Sequence, residues 1–225
     1  MLRRPALIPT LILALGLTPA LAEEPNLSPG TSAAEGAASK LVLAQRVYLQ
    51  AMESGDPVLM LAAIRLARGV VTRPAPGWAR TPAGTGELTV PEGPLVAGGP
   101  AALSKLKGLV VDDPDLQDLV YDLDAQVPQD RLPVATVATA GLSGGAEDFW
   151  QMPLSGSVPA EVALIGDGAT ALGLTVTDES GAVVCARPAT TDPALCRFTP
   201  ARNGFFSVRI ANLGTKEAAY LLIGN

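Results

Sequence analysis

The chain has 225 residues, 48% of them hydrophobic, and a formal net charge of −6, with 22 acidic residues against 16 basic ones. This apolar share is enough for a folded core, and the negative charge disfavours nucleic acid and anionic membrane surfaces as partners. The absence of histidine excludes Ser-His-Asp and Cys-His catalysis and every histidine-ligated metal site.

Residues 1–22 have the pattern of a secretory signal peptide. Two arginines precede an apolar run over residues 7–17, and Ala20-Leu21-Ala22 is a small-x-small cleavage site. The run is too short to span a bilayer comfortably, so we expect no stable membrane insertion after cleavage. Abundant Ala, Gly and Pro are typical of a GC-rich bacterial genome, and the sequence therefore predicts a periplasmic or secreted protein that begins near Glu23.

Residues 33–130 are predicted to form a helical module made of two hairpins. In the first hairpin Gly55 suits a helix end, and Asp56-Pro57 suits the cap and first turn of the next helix. Two apolar faces repeat at helical spacing: Leu41, Ala44, Tyr48 and Ala51, then Leu59, Ala62, Ala63 and Leu66. The second hairpin is expected from about Pro100 to Leu109 and after Asp113-Pro114. Its apolar stripe comprises Leu116, Leu119, Val120, Leu123 and Val127.

Residues 72–100 separate the two hairpins and are rich in Pro and Gly without any hydrophobic period. The sequence predicts a long loop here. Trp78 is its one large apolar side chain, and it is a candidate anchor for a binding partner. The alternative is that Trp78 packs back onto the helices.

Residues 132–225 change to a period of two, with Val, Thr and Phe in short runs between turn residues. We predict strands near residues 133–139, 147–154, 160–166, 171–178, 182–187, 195–199, 204–211 and 217–223. Their number and spacing favour an antiparallel β-sandwich of jelly-roll type. The predicted fold class is therefore α+β, with N-terminal helical hairpins followed by this sandwich domain.

The two cysteines, Cys185 and Cys196, are the only ones in the chain. In an oxidising compartment an isolated pair close in sequence is most simply a disulfide.

Three stretches between residues 145 and 225 carry a resemblance to a known family. They are GAEDFWQMPL, AEVALIGDGATALGLTVTDESGAVVC and CRFTPARNGFFSVRIANLG. The region resembles the bacterial pre-peptidase C-terminal domain. The resemblance implies a β-sandwich that serves as an accessory module of a secreted bacterial protein, often beside a peptidase. It also implies that acidic residues in the Gly-Asp segment can hold calcium.

In this chain the alternating acidic positions of that segment are Ala169, Ala171 and Gly173. Asp167, Asp178 and Glu179 remain as weak calcium candidates, whereas calcium prefers six to eight oxygen ligands. We therefore expect a turn without an ion, and no cofactor.

Aromatic side chains are scarce, and Phe149-Trp150 is the candidate pair for stacking on a sugar. Neighbours on a strand point to opposite faces, and in the resembling domains an aromatic residue at this strand is usually interior, so Trp150 is predicted to lie in the core. Its role as a binding residue is the alternative. Phe198, Phe205, Phe206 and Tyr220 are assigned to the core in the same way, except that one of Phe205 and Phe206 is expected to face outward.

No catalytic residue is predicted. Gly141–Gly145 matches G-x-S-x-G, but a strand follows Ser143 where a nucleophile elbow needs a helix, and no histidine base exists. We therefore predict a non-catalytic secreted or periplasmic binding or adaptor protein whose partner is a protein or polysaccharide of the cell envelope. The alternative is a carbohydrate-binding module for envelope or extracellular polysaccharide.

Overall fold

The computed structural model describes residues 24–29, 35–75, 77–83, 96–125 and 132–225. Within these ranges the chain forms four helices and two five-stranded sheets. The predicted fold class, α+β with helical hairpins before a β-sandwich, is confirmed. The predicted signal peptide and Val127 lie outside the described residues. None of the helices in the described ranges is long and apolar enough to cross a membrane.

The helices begin and end close to the positions predicted from their caps. They are α1 (Ala37–Ser54), α2 (Pro57–Arg68), α3 (Pro100–Leu109) and α4 (Pro114–Ala125). Gly55 ends α1 with a φ of 67°, in the left-handed region that favours glycine. The Asp56 carboxylate accepts hydrogen bonds from two backbone N–H groups in the first turn of α2, and Asp113 accepts one from Leu116 in α4.

The predicted buried faces of α2 and α4 need correction. In α2 the buried side chains are Met60, Ala63, Ile64 and Ala67, whereas Ala62 and Leu66 are exposed. In α4 Val120 and Leu123 are buried, but half of Leu119 is exposed. Every residue from Val58 to Ile64 is apolar, so periodicity does not select a face and contact with neighbouring helices decides it.

The ten strands include all eight that the sequence predicts. They are β1 (Val71–Pro74), β2 (Ala79–Ala83), β3 (Val134–Leu142), β4 (Glu147–Leu154), β5 (Ala160–Gly166), β6 (Leu172–Thr177), β7 (Val183–Thr190), β8 (Ala194–Phe198), β9 (Gly204–Asn212) and β10 (Ala218–Gly224). Sheet A has the order β1-β3-β10-β5-β8, and sheet B has the order β2-β4-β9-β6-β7. The strand pairs are antiparallel, except that β1 runs parallel to β3.

The prediction that residues 72–100 form a loop is wrong at its beginning. Strand β1 adds an edge to sheet A beside β3, and β2 adds an edge to sheet B beside β4. Both strands contain proline, which sheets tolerate at their edges because an edge strand leaves N–H positions unpaired. The proline-rich composition therefore concealed two strands whose partners lie far along the chain. Residues 84–95 lie outside the described residues.

The molecule has three layers. The sheets enclose the main core, which includes Trp150, Phe198, Phe206 and Tyr220. On its other face, sheet A packs against α1 through a smaller core in which half of the buried side chains are alanines, namely Ala37, Ala38, Ala135 and Ala163. A third cluster joins the helices to one another. Sheet A is thus the central layer, with sheet B on one side and helices on the other.

Candidate functional site

A cleft of about 920 Å³ lies between the helices and the outer face of sheet A. Its floor comes from β1, β3 and β10, and its walls come from α1, the end of α2 and the segment from Val96 to Gly99. Apolar side chains in the lining include Leu41, Val70, Val71, Val96, Val137 and Leu221. The volume lies in the range of about 300–1,000 Å³ that is typical of small-molecule pockets.

Helix α1 is held over sheet A by a buried carboxylate. Glu161 of β5 is 1% exposed and accepts hydrogen bonds from the backbone N–H groups of Gly36 and Ser39, at 2.8 and 3.0 Å, and from the Ser39 hydroxyl. A negative charge at a helix N-terminus is stabilised by unpaired N–H groups and the helix dipole. A side chain at Gly36 would collide with this carboxylate. A strand residue therefore caps α1, and this fixes one end of the helix on the sheet.

Gln45 of α1 shapes the wall of the cleft further along the helix. Its side chain is buried, and its Oε1 atom accepts a hydrogen bond from the backbone N–H of Ala97 at 2.9 Å. Gly98 lies against α2, where an added Cβ atom would be 3.1 Å from that of Ala67. The segment from Val96 to Gly99 is thus tied to both helices of the first hairpin.

The charged side chains in the described part of the cleft lining are arginines. Arg65 and Arg68, both in the last turn of α2, belong to the lining, and no described residue of the lining is acidic. Arg68 donates a hydrogen bond to the carbonyl of Leu123, whereas Arg65 is exposed. The cleft therefore combines an apolar interior with positive charge.

The described lining contains no carboxylate, thiol or imidazole, and Thr72 supplies its one hydroxyl group. General acid–base and nucleophilic catalysis need a group of matched pKa within hydrogen-bonding distance of the reacting atom. The side chains of this cleft are suited to hold a ligand.

Trp150, a predicted binding candidate, lies in the core, as the family resemblance implied, with 7% of its surface exposed. Its indole N–H donates to the Tyr220 hydroxyl at 2.7 Å, and that hydroxyl donates to Asp148. Asp148 is fully buried and forms an ion pair with Arg80 of β2, whose Nη2 atom also donates to the carbonyl of Gly141. Burial, reinforced by the hydrogen bond to Asp148, raises the pKa of Tyr220 far above its ordinary range.

Trp78, the second candidate, packs onto the sandwich core and not onto the helices. Its ring meets that of Trp150 edge to face, with centroids 6.5 Å apart, and lies close to Gly224. Sequence reasoning missed this position because β1 and β2, which flank Trp78, were assigned to a loop. Asp148 and Arg80 were also missed, although Asp148 occupies an inward position of the alternating strand β4.

The remaining aromatic residues follow the strand pattern. Phe198, Phe206 and Tyr220 are buried, and Phe205 is the outward member of its pair, with 57% of its surface exposed. Phe198 and Phe206 come from different sheets and pack with ring centroids 5.4 Å apart.

The three calcium candidates do not lie together. Asp167 is in the turn before β6, where its Oδ1 atom accepts from the backbone N–H groups of Ala169 and Thr170 at 2.9 and 3.0 Å. Asp178 and Glu179 follow β6, at the opposite end of that strand. Within the described ranges, no three Asp, Glu, His or Cys side chains are grouped as metal ligands.

Asp178 and Glu179 instead hold the segment that contains Asn26. Asp178 accepts from the Asn26 backbone N–H at 2.7 Å, and Glu179 accepts from the Asn26 amide and forms an ion pair with Arg202 at 2.7 Å. Burial of the Asp178 carboxylate opposes its ionisation, but hydrogen bonds from Ser180, Asn26 and Ala182 outweigh this effect and lower its pKa. These acids therefore have structural partners within the protein.

Cys185 and Cys196 form the predicted disulfide, with Cα atoms 6.0 Å apart. Cys185 is on β7 at the edge of sheet B, and Cys196 is on β8 at the edge of sheet A. A bond between residues near in sequence therefore joins the two layers of the sandwich.

No family model matches the chain, and no curated protein sequence matches it. Among solved structures, the pre-peptidase C-terminal domain of a collagenase from Bacillus anthracis has 14% identity and a TM-score of 0.36, over 40% of this chain and 88% of that one. Yersinia pseudotuberculosis-derived mitogen has 11% identity and a TM-score of 0.32, over 40% and 84% of the two chains. The C-terminal CBM6 of the laminarinase LamC from Zobellia galactanivorans has 8% identity and a TM-score of 0.27, over 39% and 79%.

The first of these structures is the kind of domain that residues 145–225 resemble in sequence. All three TM-scores are below 0.5, so no ligand or activity is transferred from them to this chain.

Proposed function

We propose that this protein is a non-catalytic binding protein of the bacterial periplasm or extracellular medium, and that it holds its ligand in the cleft between the helices and sheet A. The observation that carries the proposal is the cleft itself, an apolar cavity of about 920 Å³ on the central sheet. Pockets of this kind are the usual sites of ligand binding in folded domains.

Two features support the non-catalytic part of the proposal. The chain has no histidine, and the described lining offers arginine, glutamine and threonine as its polar side chains. A turnover assay with peptide, ester and glycan substrates tests this part. We expect no hydrolysis above the rate without protein, and turnover that is abolished by a substitution in the cleft would contradict the proposal.

Two features support the compartment. The pattern of residues 1–22 is that of a secretory signal, and the disulfide is of a type that persists outside the cytoplasm. Fractionation of the producing cell, followed by mass measurement, tests it. We expect the protein in the periplasm or medium, shortened by the first 22 residues; an intact chain in the cytoplasm would contradict the proposal.

Ligand binding is testable with N-phenyl-1-naphthylamine, a neutral apolar dye whose fluorescence rises on leaving water. We expect saturable binding of one dye per protein molecule. Val137→Trp places a large ring on the cleft floor and should abolish it. Gln151→Trp adds the same ring on the outer face of sheet B and is the matched control. Binding that is absent, or equal in both variants, would contradict a site in the cleft.

A carbohydrate-binding role is the second candidate, and one observation favours it. Phe205 is exposed on the outer face of sheet B, where an aromatic ring is available for stacking on a sugar. A glycan array tests this role with Phe205→Ala, because Trp150 is buried. Signals that disappear in this variant while its melting temperature is retained would favour the second candidate; an array without signals would exclude it.

A further inference from the structure

We propose that the ligand of the cleft is a single-chain amphiphile with an anionic head group, and that Arg65 binds this head group at the opening of the cleft. This inference rests on the proposed function and adds the chemical class of the ligand.

The interior of the cleft suits an aliphatic chain. Side chains from three strands of sheet A and from α1 contribute most of the apolar surface of the lining, with Leu41, Val71, Val137 and Leu221 among them. Each methylene group that leaves water for such surroundings improves binding by about fourfold. A polysaccharide would lose hydrogen bonds to water in this lining without replacing them.

The charge of the cleft selects the head group. Arg65 is exposed and belongs to the lining, so a side chain of its length can bring the guanidinium to the opening of the cleft. The end of α2 carries about half a negative charge from the helix dipole, which is smaller than the full charge of one arginine. Because no described residue of the lining is acidic, a carboxylate or phosphate meets net attraction there.

The size of the cleft limits the ligand to a small molecule. A volume of about 920 Å³ is at the upper end of pockets that enclose drug-sized ligands. The floor is the central sheet and the walls are helices fixed by Glu161 and Gln45, so the space is enclosed on several sides. A folded protein partner does not enter a site of this shape.

The test compares dodecanoate, dodecyl phosphate and dodecanol, each below its micelle concentration, in calorimetric titrations. The protein is purified after expression with its own leader sequence. We expect both anions to bind more tightly than the alcohol, and decanoate to bind about fifteenfold more weakly than dodecanoate because it lacks two methylene groups. Higher salt should weaken the two anions and leave dodecanol unchanged.

Arg65→Gln should weaken dodecanoate about fivefold, as expected for a partly exposed ion pair, and leave dodecanol unchanged. Arg73→Gln is the matched control, because Arg73 is exposed on β1 but does not belong to the lining. Equal affinity for acid and alcohol, or an effect of Arg73→Gln as large as that of Arg65→Gln, would overturn the anionic class while leaving the proposed function intact. If no compound binds, and the dye does not bind either, both proposals are overturned.

Discussion

The two faces of sheet A are packed in different ways. The face toward sheet B contributes to a core with large side chains, including Tyr220 and Leu222, and it is closed by a disulfide and a buried ion pair. The face toward the helices is covered by small side chains of α1 over part of its area and is open to the cleft over the rest. The face toward sheet B is therefore fully packed, whereas the face toward the helices borders an open space large enough for a small molecule.

The difference shows that the helices and β1 are part of the cleft. The sandwich alone would leave the outer face of sheet A exposed. The cleft forms where α1, the end of α2 and the segment from Val96 to Gly99 border the strands β1, β3 and β10. Substitutions on the two sides of sheet A should therefore have separable effects on stability and binding.

Phe206→Ala is expected to have the largest effect, because it removes a fully buried ring that contacts Phe198 of the other sheet. We expect a loss of roughly 3–5 kcal/mol in the free energy of unfolding. Phe205→Ala, one residue earlier on the exposed side, should change it by less than about 1 kcal/mol. Urea unfolding measures both losses of stability. Equal losses would contradict the assignment of Phe205 and Phe206 to opposite faces of sheet B.

Replacing Cys185 and Cys196 together by serine opens a short loop that connects the sheets. The chain-entropy estimate for a loop of this length is about 3 kcal/mol of lost stability. Thermal unfolding of the variant, compared with that of the native protein with and without reductant, measures the loss. If the variant and the native protein have the same melting temperature, the disulfide does not stabilise the packing of the two sheets.

Asp148→Asn removes the buried charge that pairs with Arg80 and accepts from Tyr220. A charge left without its partner inside a protein costs several kcal/mol, and because Arg80 retains some contact with solvent we expect roughly 2–3 kcal/mol. Glu147 is the neighbour of Asp148 on β4, and Glu147→Gln breaks its exposed pair with Arg209 of β9, which should cost less than about 1 kcal/mol. Urea unfolding of the two variants should rank them in this order.

Glu161→Gln weakens the cap that holds α1 on sheet A. We expect a loss of about 1–2 kcal/mol, with faster hydrogen exchange in the first turns of α1 and little change in β4 and β9 of sheet B. Hydrogen exchange resolved by peptide measures this. If exchange became uniformly faster in both sheets, the packing on the two faces of sheet A would not be independent, and this prediction would be contradicted.

Acid should weaken the contact between Asp178 and the segment at Asn26. The pKa of Asp178 is below its ordinary value of 3.8, so the folded state favours the ionised carboxylate. Its stabilisation is present above about pH 4 and is lost as the pH falls through the lowered pKa. Urea unfolding between pH 5 and pH 2 should therefore show a smaller loss for Asp178→Asn than for the native protein; equal losses would contradict this role.

Much of the fold was predictable from local patterns. The caps at Gly55, Asp56 and Asp113 placed the helix ends, and the alternation after residue 132 placed eight strands and predicted that one of Phe205 and Phe206 faces outward. These signals are readable because each depends on neighbours within about four residues.

The cleft was not predictable, because its lining comes from segments that are distant in sequence. Val71, Val137 and Leu221 become neighbours only through strand pairing of β1, β3 and β10. The edge strands β1 and β2 were missed for the same reason, since their short proline-containing sequences acquire order from their partners.

The sequence by itself determined the class of the fold, the disulfide pair and the absence of imidazole chemistry, because composition, spacing and local periodicity suffice for these. The tertiary structure alone decided which face of α2 is buried, where Trp78 packs and how Glu161 caps α1. It also decided that a cleft with apolar side chains and two arginines in its lining exists, because these properties depend on contacts between parts of the chain that no local pattern connects.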